Sequence, residues 1–459
     1  MKINLTDIFN LNNSVIYNPD NFKAVSKVSI DSRTIKANSI YVAIKGNKFD
    51  GHNFVSEAVS KGAAAIIINK NRLKSFDNLN CTIITVPNTT FAYGELAQKF
   101  RNKFNGKIIS ITGSNGKTTT KEILATILSE KFKTEKTLAN NNNHIGIPKT
   151  IFSIKKGTEV LVLEHGTNHF GEINYTANIA KPDYAIITNI GDSHLEYLID
   201  TDGVYKEKSS LFNETLSKGG IIFVNTDDAK IKLATKKIKN KITYGFNGKP
   251  DIKGKIIGFS EDGKTKLSVD YLGKKIIEEL PLYGISNSKN MLAAVGIALY
   301  LGVSKKQIQN GIKKNNQVSG RLFVEAFQTT TLIDDTYNAN PTSMVAAIDL
   351  LKRIKTYQLK TLIIGDMFEL GENAVQIHRE FATIIMKSKV QNVFMIGKLM
   401  KSLSSELQNK NINWAHFKTR KHLASFLNKT EFKNQVVLVK GSRGMKMEEF
   451  VTQIREKLK

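Results

Sequence analysis

The sequence predicts an α/β protein of three domains: a small N-terminal α/β module, a central P-loop-type parallel-sheet domain with an antiparallel appendage, and a C-terminal Rossmann-like α/β domain. Two observations carry this. The chain has 459 residues, and at roughly 150 residues per domain that length fits three units. Short apolar runs alternate with helical stretches along most of it, the pattern of a mostly parallel sheet. The first unit, 1–86, holds the runs SIYVAI, AAAIIIN and CTIITV around a helical stretch near Phe54–Lys61. The second, 87–312, begins with a helical stretch at Thr90–Phe104 and continues through KIISIT, Val160–Leu163, Tyr184–Thr188 and Gly220–Val224. Between Lys241 and Tyr283 the pattern changes to alternating strands with glycine-containing turns, which predicts the antiparallel appendage, and a helix follows at Ser288–Leu301. The third unit, 313–459, has strand candidates at Thr331–Ile333, Leu362–Ile364, Val393–Ile396 and Val436–Val439, with helices after Pro341, Asn373, Lys401 and Met445.

Composition narrows the function classes. Apolar residues make up 41% and aromatics 8%, so the chain can bury ordinary cores and is neither disordered nor fibrous. Cys81 is the single cysteine, which excludes an intramolecular disulfide and a cysteine-based zinc site. No apolar stretch approaches the roughly 18 residues of a membrane span. The start MKINLTDIFN is polar at short intervals and predicts no secretory leader. The expected location is the cytoplasm.

The formal net charge of +26 raises the question of nucleic acid. The basic residues are nearly all lysine, with nine arginines, and are spread through every segment. Phosphate and base-edge recognition favours arginine forks gathered on one stripe with aromatics. Nucleic acid is therefore not the expected partner, although a positive surface helps attract an anionic substrate.

The strongest local signal is KIISITGSNGKTTTKEIL, Lys107 to Leu124. A strand ends, a loop through Gly113, Ser114, Asn115 and Gly116 turns sharply, and a helix starts at Lys117-Thr118-Thr119. Such a loop aims backbone N–H groups at a phosphate, the lysine adds charge, and Thr118 offers an oxygen to Mg²⁺. Ile111 stands where the common G-x-x-x-x-G-K-[ST] pattern has its first glycine, leaving T-G-x-x-G-K-T. ATP is the expected nucleotide.

This loop resembles the ATP loop of the Mur ligases, the amide-forming ligases of peptidoglycan precursor synthesis. Other segments resemble that family's motifs in order: DSRTIKANSIYVAIKGNKFDGHNFVSEAVSKGA (31–63), EHGTNHFGEI, TNIGDSHLE, GISNSKN and SGR (319–321). Four more, TLANNNNHIGIP (137–148), DDTYNANPTSM (334–344), GDMFELG (365–371) and VKGSRGMKME (439–448), resemble the member that adds D-alanyl-D-alanine to UDP-N-acetylmuramoyl-tripeptide.

The resemblance implies an ATP-dependent ligase, expected to be monomeric, that works through an acyl phosphate. It implies Ser32 and Arg33 as contacts to the uridine nucleotide, and Asn142 and Asn143 as peptide-recognition amides. Glu164 and His194 become metal ligands with Thr118. Lys208 resembles a lysine that the family carbamylates, which would make it a further metal ligand. Its rival is Lys206, two positions away on the same helix. On the nucleotide side stand Asn287, Asn290, Arg321 and Asp335; Tyr337, Asn338 and Asn340 are implied to close on ATP and the dipeptide. Lys440, Ser442 and Arg443 suggest one more anion site. Three departures from the family pattern stand out: Ser286 for a usual histidine, Leu198-Ile199-Asp200 for Phe-Gly-Ser, and Ala139 for glycine. The rival readings are a sister ligase adding a single amino acid and a P-loop nucleic-acid motor.

Overall fold

The computed structural model describes residues 1–408 and 411–459. The described residues form three sheets. In the first, strands run in the order Val15–Tyr17, Thr82–Val86, Ala63–Asn69, Ser39–Val42, Lys27–Ser29, parallel except for the first pair. The strands AAAIIIN and TIITV are almost wholly buried apolar runs, as parallel strands covered on both faces must be. The outer strands Val15–Tyr17 and Lys27–Ser29 are three residues long and partly exposed, too short to leave a periodic signal in the sequence.

The second sheet has nine strands. Lys107–Thr112 lies between Val160–Glu164 and Tyr184–Ile187, all parallel; the chain leaves it toward Thr134–Lys136 on one side, whereas it leaves Tyr184–Ile187 toward Ile221–Asn225 on the other. That reversal opens a crevice beyond the carboxyl ends of these strands, the usual ligand position in such sheets. Beyond Tyr184–Ile187 the sheet continues through Ile221–Asn225, Lys241–Gly245 and Ile252–Phe259, still parallel. It turns antiparallel only at Lys264–Tyr271 and Lys274–Tyr283. The antiparallel part is therefore the far edge of the main sheet, continuous with it, and starts after Lys241–Gly245. The helix Gly284–Tyr300 packs between this edge and the helix Lys117–Leu128, its eight buried apolar residues between Met291 and Leu299 joining one core.

The helix Thr89–Asn102 bridges the first two sheets. Its Tyr93, Leu96, Ala97 and Phe100 share a single core with Ile67 and Ile84 of the first sheet and Leu161 and Leu163 of the second. Those two sheets are consequently packed as neighbours through one apolar cluster, not strung on a linker. The third sheet orders its strands Phe323–Ala326, Thr330–Asp335, Gln435–Lys440, Leu359–Gly365, Asn392–Ile396, Asn413–Phe417, parallel except for the first pair. Its edge strand Asn413–Phe417, half-buried after the exposed Asn413, and the helix Arg420–Lys429 add to the elements expected from the sequence. No helix among the described residues is long and apolar enough to cross a membrane.

Candidate active site

A cavity of about 950 Å³ opens where the second and third domains face each other, at the carboxyl ends of the central strands. Its floor is the loop Ser114–Thr119. Gly113 (φ +146) and Gly116 (φ +81) hold conformations that L side chains rarely adopt. A Cβ at Gly113 would lie 2.0 Å from Thr188 Oγ1, and one at Gly116 would lie 2.3 Å from Asn290 Oδ1. The loop is clamped by the segment after Tyr184–Ile187. Ser114 N–H donates to Asn189 O (2.9 Å), Asn115 N–H donates to Asn189 Oδ1 (3.0 Å), and Thr188 Oγ1 donates to Asn115 O (2.6 Å). TNIGDSH, which carries the implied metal ligand His194, thus also builds the frame of the phosphate loop.

Lys117 folds back over this loop, its ammonium donating to Gly113 O at 2.6 Å. Burial pushes its pKa down to about 8, with Glu164 opposing the shift and the Arg321 charge adding to it. Thr118 Oγ1 donates to Glu164 Oε1 (3.1 Å), and Asn142 Nδ2 donates to the same oxygen (2.9 Å). Glu164 Oε2 is buried and accepts no hydrogen bond among the described residues, though Lys121 Nζ lies 3.4 Å away. One carboxylate therefore joins the nucleotide loop to the asparagine run. Asn143 lines the cavity too, but its Oδ1 is committed to the N–H groups of Ile145 and Gly146, starting the helix Gly146–Phe152.

His194 lines the cavity in a left-handed conformation (φ +56), and its Nδ1 lies 2.7 Å from Glu369 Oε2 of the third domain. Glu369, also left-handed (φ +62), belongs to GDMFELG. The His194 contact holds its carboxyl below the usual range. Two backbones in sparsely populated conformations thus meet across the domain interface, the kind of strain that clusters at functional sites. Among the described residues no three His, Cys, Asp or Glu side chains converge as a metal-binding group.

Lys208 does not line the cavity. It is 1% exposed on the helix Thr201–Ser217 and makes no ion pair among the described residues. Burial, then the nearby Lys117 charge, depress its pKa strongly. Lys206 points outward over the ring of Phe170, 5.8 Å from its centroid. Next to Lys208, the buried Glu207 accepts from the N–H groups of Gly171 and Ile173, both at 2.7 Å. It thereby fixes the turn that begins the helix Glu172–Ala180.

The roof comes from the third domain. Arg321 stacks on Tyr337, its guanidinium carbon 3.8 Å from the ring centroid. Asn340 caps the helix Pro341–Arg353 through Oδ1 (Ser343 N–H, 2.8 Å), while its Nδ2 donates to Asn115 Oδ1 across the cavity at 3.0 Å. Asn287 and Asn290 lie on the first turns of Gly284–Tyr300 and reach the same space. Asp335 lines the cavity but is engaged elsewhere: its Oδ2 pairs with the buried Lys440 ammonium at 2.6 Å and its Oδ1 accepts Leu322 N–H. Lys440 also donates to Asn338 O (2.9 Å), so a buried cation holds the YNANP loop in place. Ser442 accepts Phe368 N–H, and the exposed Arg443 pairs with Glu448 at 3.5 Å. The suggested anion site at Lys440, Ser442 and Arg443 is thus spent on internal contacts. Ser32 and Arg33 lie away from this cavity in the first domain, where Ser32 donates to Glu57 (2.8 Å) and Arg33 pairs with Asp31 (2.8 Å).

Comparison with known proteins agrees with this architecture along the whole chain. Residues 24–101 match the family profile described as Mur ligase family, catalytic domain; residues 111–298 match the Mur ligase middle domain. Residues 320–443 match the Mur ligase, glutamate ligase domain. The chain is 35% identical to UDP-N-acetylmuramoyl-tripeptide--D-alanyl-D-alanine ligase of Haemophilus influenzae, over 95% of this chain and 94% of that protein. It is 32% identical to the ligase of the same name from Bacillus subtilis, over 94% and 93%. Its structure superposes on that of MurF from Acinetobacter baumannii with a TM-score of 0.87 at 28% identity, covering 99% of both chains. MurF from Thermotoga maritima, solved in complex with ADP, gives 0.81 at 27% identity over 94% and 97%.

Proposed function

The chain belongs to the Mur ligase family, and from that premise we propose that the cavity between its second and third domains is where ATP activates a peptide carboxylate. The protein is an ATP-dependent ligase of peptidoglycan precursor synthesis that joins D-alanyl-D-alanine to UDP-N-acetylmuramoyl-tripeptide. In the proposed sequence a carboxylate oxygen of the tripeptide attacks the γ-phosphorus and ADP leaves. The dipeptide amine then attacks the acyl carbon and phosphate leaves with that oxygen. The observation that carries this placement is the single Glu164 carboxylate, which touches Thr118 of the nucleotide loop and Asn142 of the asparagine run.

The work of the site is charge neutralisation and orientation, as phosphoryl transfer requires. The N–H groups of Ser114–Thr119 and the Lys117 ammonium take the phosphates. Asn142, with Asn143 beside it, orients the peptide; Ser32 and Arg33 hold the uridine nucleotide in the first domain. Asn287 and Asn290 face the adenine side, with Arg321 over the nucleotide. Tyr337, Asn338 and Asn340 present the dipeptide, while Asp335 acts on them indirectly, through Lys440. Contacts such as Asn340 to Asn115 close the roof and keep water from the acyl phosphate.

Mg²⁺ fits this donor set. Thr118 and Glu164 offer two oxygens, one of them buried without a hydrogen bond, and Mg²⁺ ordinarily completes its shell with phosphate and water. When bound it neutralises phosphate charge. His194 stands at the same cavity as a further ligand. A buried lysine with a depressed pKa also favours carbamylation of Lys208: the neutral amine attacks carbon dioxide, loses a proton and becomes an anion. We place the enzyme in the cytoplasm as a monomer.

Amine specificity tests the assignment within the family. With the tripeptide substrate and ATP, D-alanyl-D-alanine should support phosphate release and product formation, whereas L-lysine and diaminopimelate should not. Better product formation with either single amino acid would overturn it and favour a sister ligase.

A further inference from the structure

Lys121 is fully buried, and none of the steps above uses it. It lies on the helix Lys117–Leu128, four residues after Lys117 and so on the same side. Its ammonium stands 3.4 Å from Glu164 Oε2, the oxygen without a hydrogen bond, and 3.1 Å from Glu122 Oε1. It also donates to Ala139 O at 3.4 Å. Ala139, in a left-handed conformation (φ +49), immediately precedes the asparagine run, in the segment that follows the strand Thr134–Lys136. Lys136 at the end of that strand pairs with the other oxygen of Glu122.

A buried ion pair adds little net stability over a well-packed apolar side chain. An apolar side chain would fill the same space, but it would leave Glu164 Oε2 without its counter-charge and the Ala139 carbonyl without a donor. Lys121 touches the nucleotide helix, the carboxylate shared by both substrates and the backbone that presents Asn142, and no other cation does so among the described residues. We propose that Lys121 is a positioning residue that couples the nucleotide loop to the peptide-recognition loop through Glu164 and Ala139. This rests on the reading of the loop around Asn142 as the peptide site. Phosphate drawn onto the loop shifts the helix start and Glu164, and Lys121 passes that arrangement to residues 139–142.

The test is the coupling between ligands, measured by calorimetry without turnover. In the wild type, a non-hydrolysable ATP analogue with Mg²⁺ should tighten UDP-N-acetylmuramoyl-tripeptide binding about tenfold, and the converse should hold equally. Lys121→Met, which keeps the length of the stem, should cut this to about twofold or less while still binding both ligands. Hydrogen exchange on the wild type supplies a second measurement that needs no variant: the analogue alone should protect the amides of residues 139–143. Full coupling in the folded variant, or unchanged exchange in the wild type, overturns the proposal. Asn142→Ala separates the premise: unchanged tripeptide affinity there would overturn the peptide-loop reading itself. Weakened affinity there, with coupling intact in Lys121→Met, would overturn Lys121 alone.

Discussion

Replacing Lys117 by alanine is expected to lower turnover by roughly a hundred- to a thousandfold while leaving the fold intact. The ammonium lies over the phosphate loop and is held by the Gly113 carbonyl, so its removal takes a cation from the transferring phosphate and no packing from a core. Thermal unfolding of the variant should match the wild type, and a folded Lys117→Ala enzyme that ligates normally would refute the role. A pH effect follows from the same environment. Burial brings this lysine to about 8 in the free site, so above that pH it carries less charge. Triphosphate favours the protonated form, and nucleotide affinity should therefore fall as pH rises through about 8.

Lys208→Ala is expected to cost about a hundredfold in activity, with partial recovery on adding a short carboxylate. Lys206→Ala should stay within about twofold of the wild type, as an exposed substitution does. The two lysines lie two positions apart on one helix, yet Lys208 is buried near Lys117 while Lys206 covers the exposed Phe170 ring. Recovery by carboxylate is the informative readout, because a lysine that only packs or only carries positive charge would not be replaced by an anion. The opposite ranking of the two variants would overturn the assignment.

The phosphate loop was legible in the sequence because its signal is local: a buried strand, two glycines and a lysine-threonine pair within the twelve residues 107–118. The alternation of strands and helices was legible for the same reason. What escaped depends on contacts between distant segments. Nothing near Lys121 in sequence says that it meets Glu164, which lies 43 positions on and two strands later. The contact between His194 and Glu369 joins different domains. Asp335 looked like a nucleotide contact, but a buried Lys440 needs a counter-charge and takes it. Asn143 looked like a free amide, yet the helix it precedes needs its N–H groups satisfied. The antiparallel edge was recognised by its alternation, but pairing alone shows that it extends the main sheet.

The central claim, that ATP activates the tripeptide carboxylate in this cavity, has a direct test in the fate of one oxygen. The tripeptide is prepared with heavy oxygen in its terminal carboxylate and turned over with ATP and D-alanyl-D-alanine. If that carboxylate attacks the γ-phosphorus, each released phosphate carries one labelled oxygen. Phosphate released during ligation without the label would contradict the account.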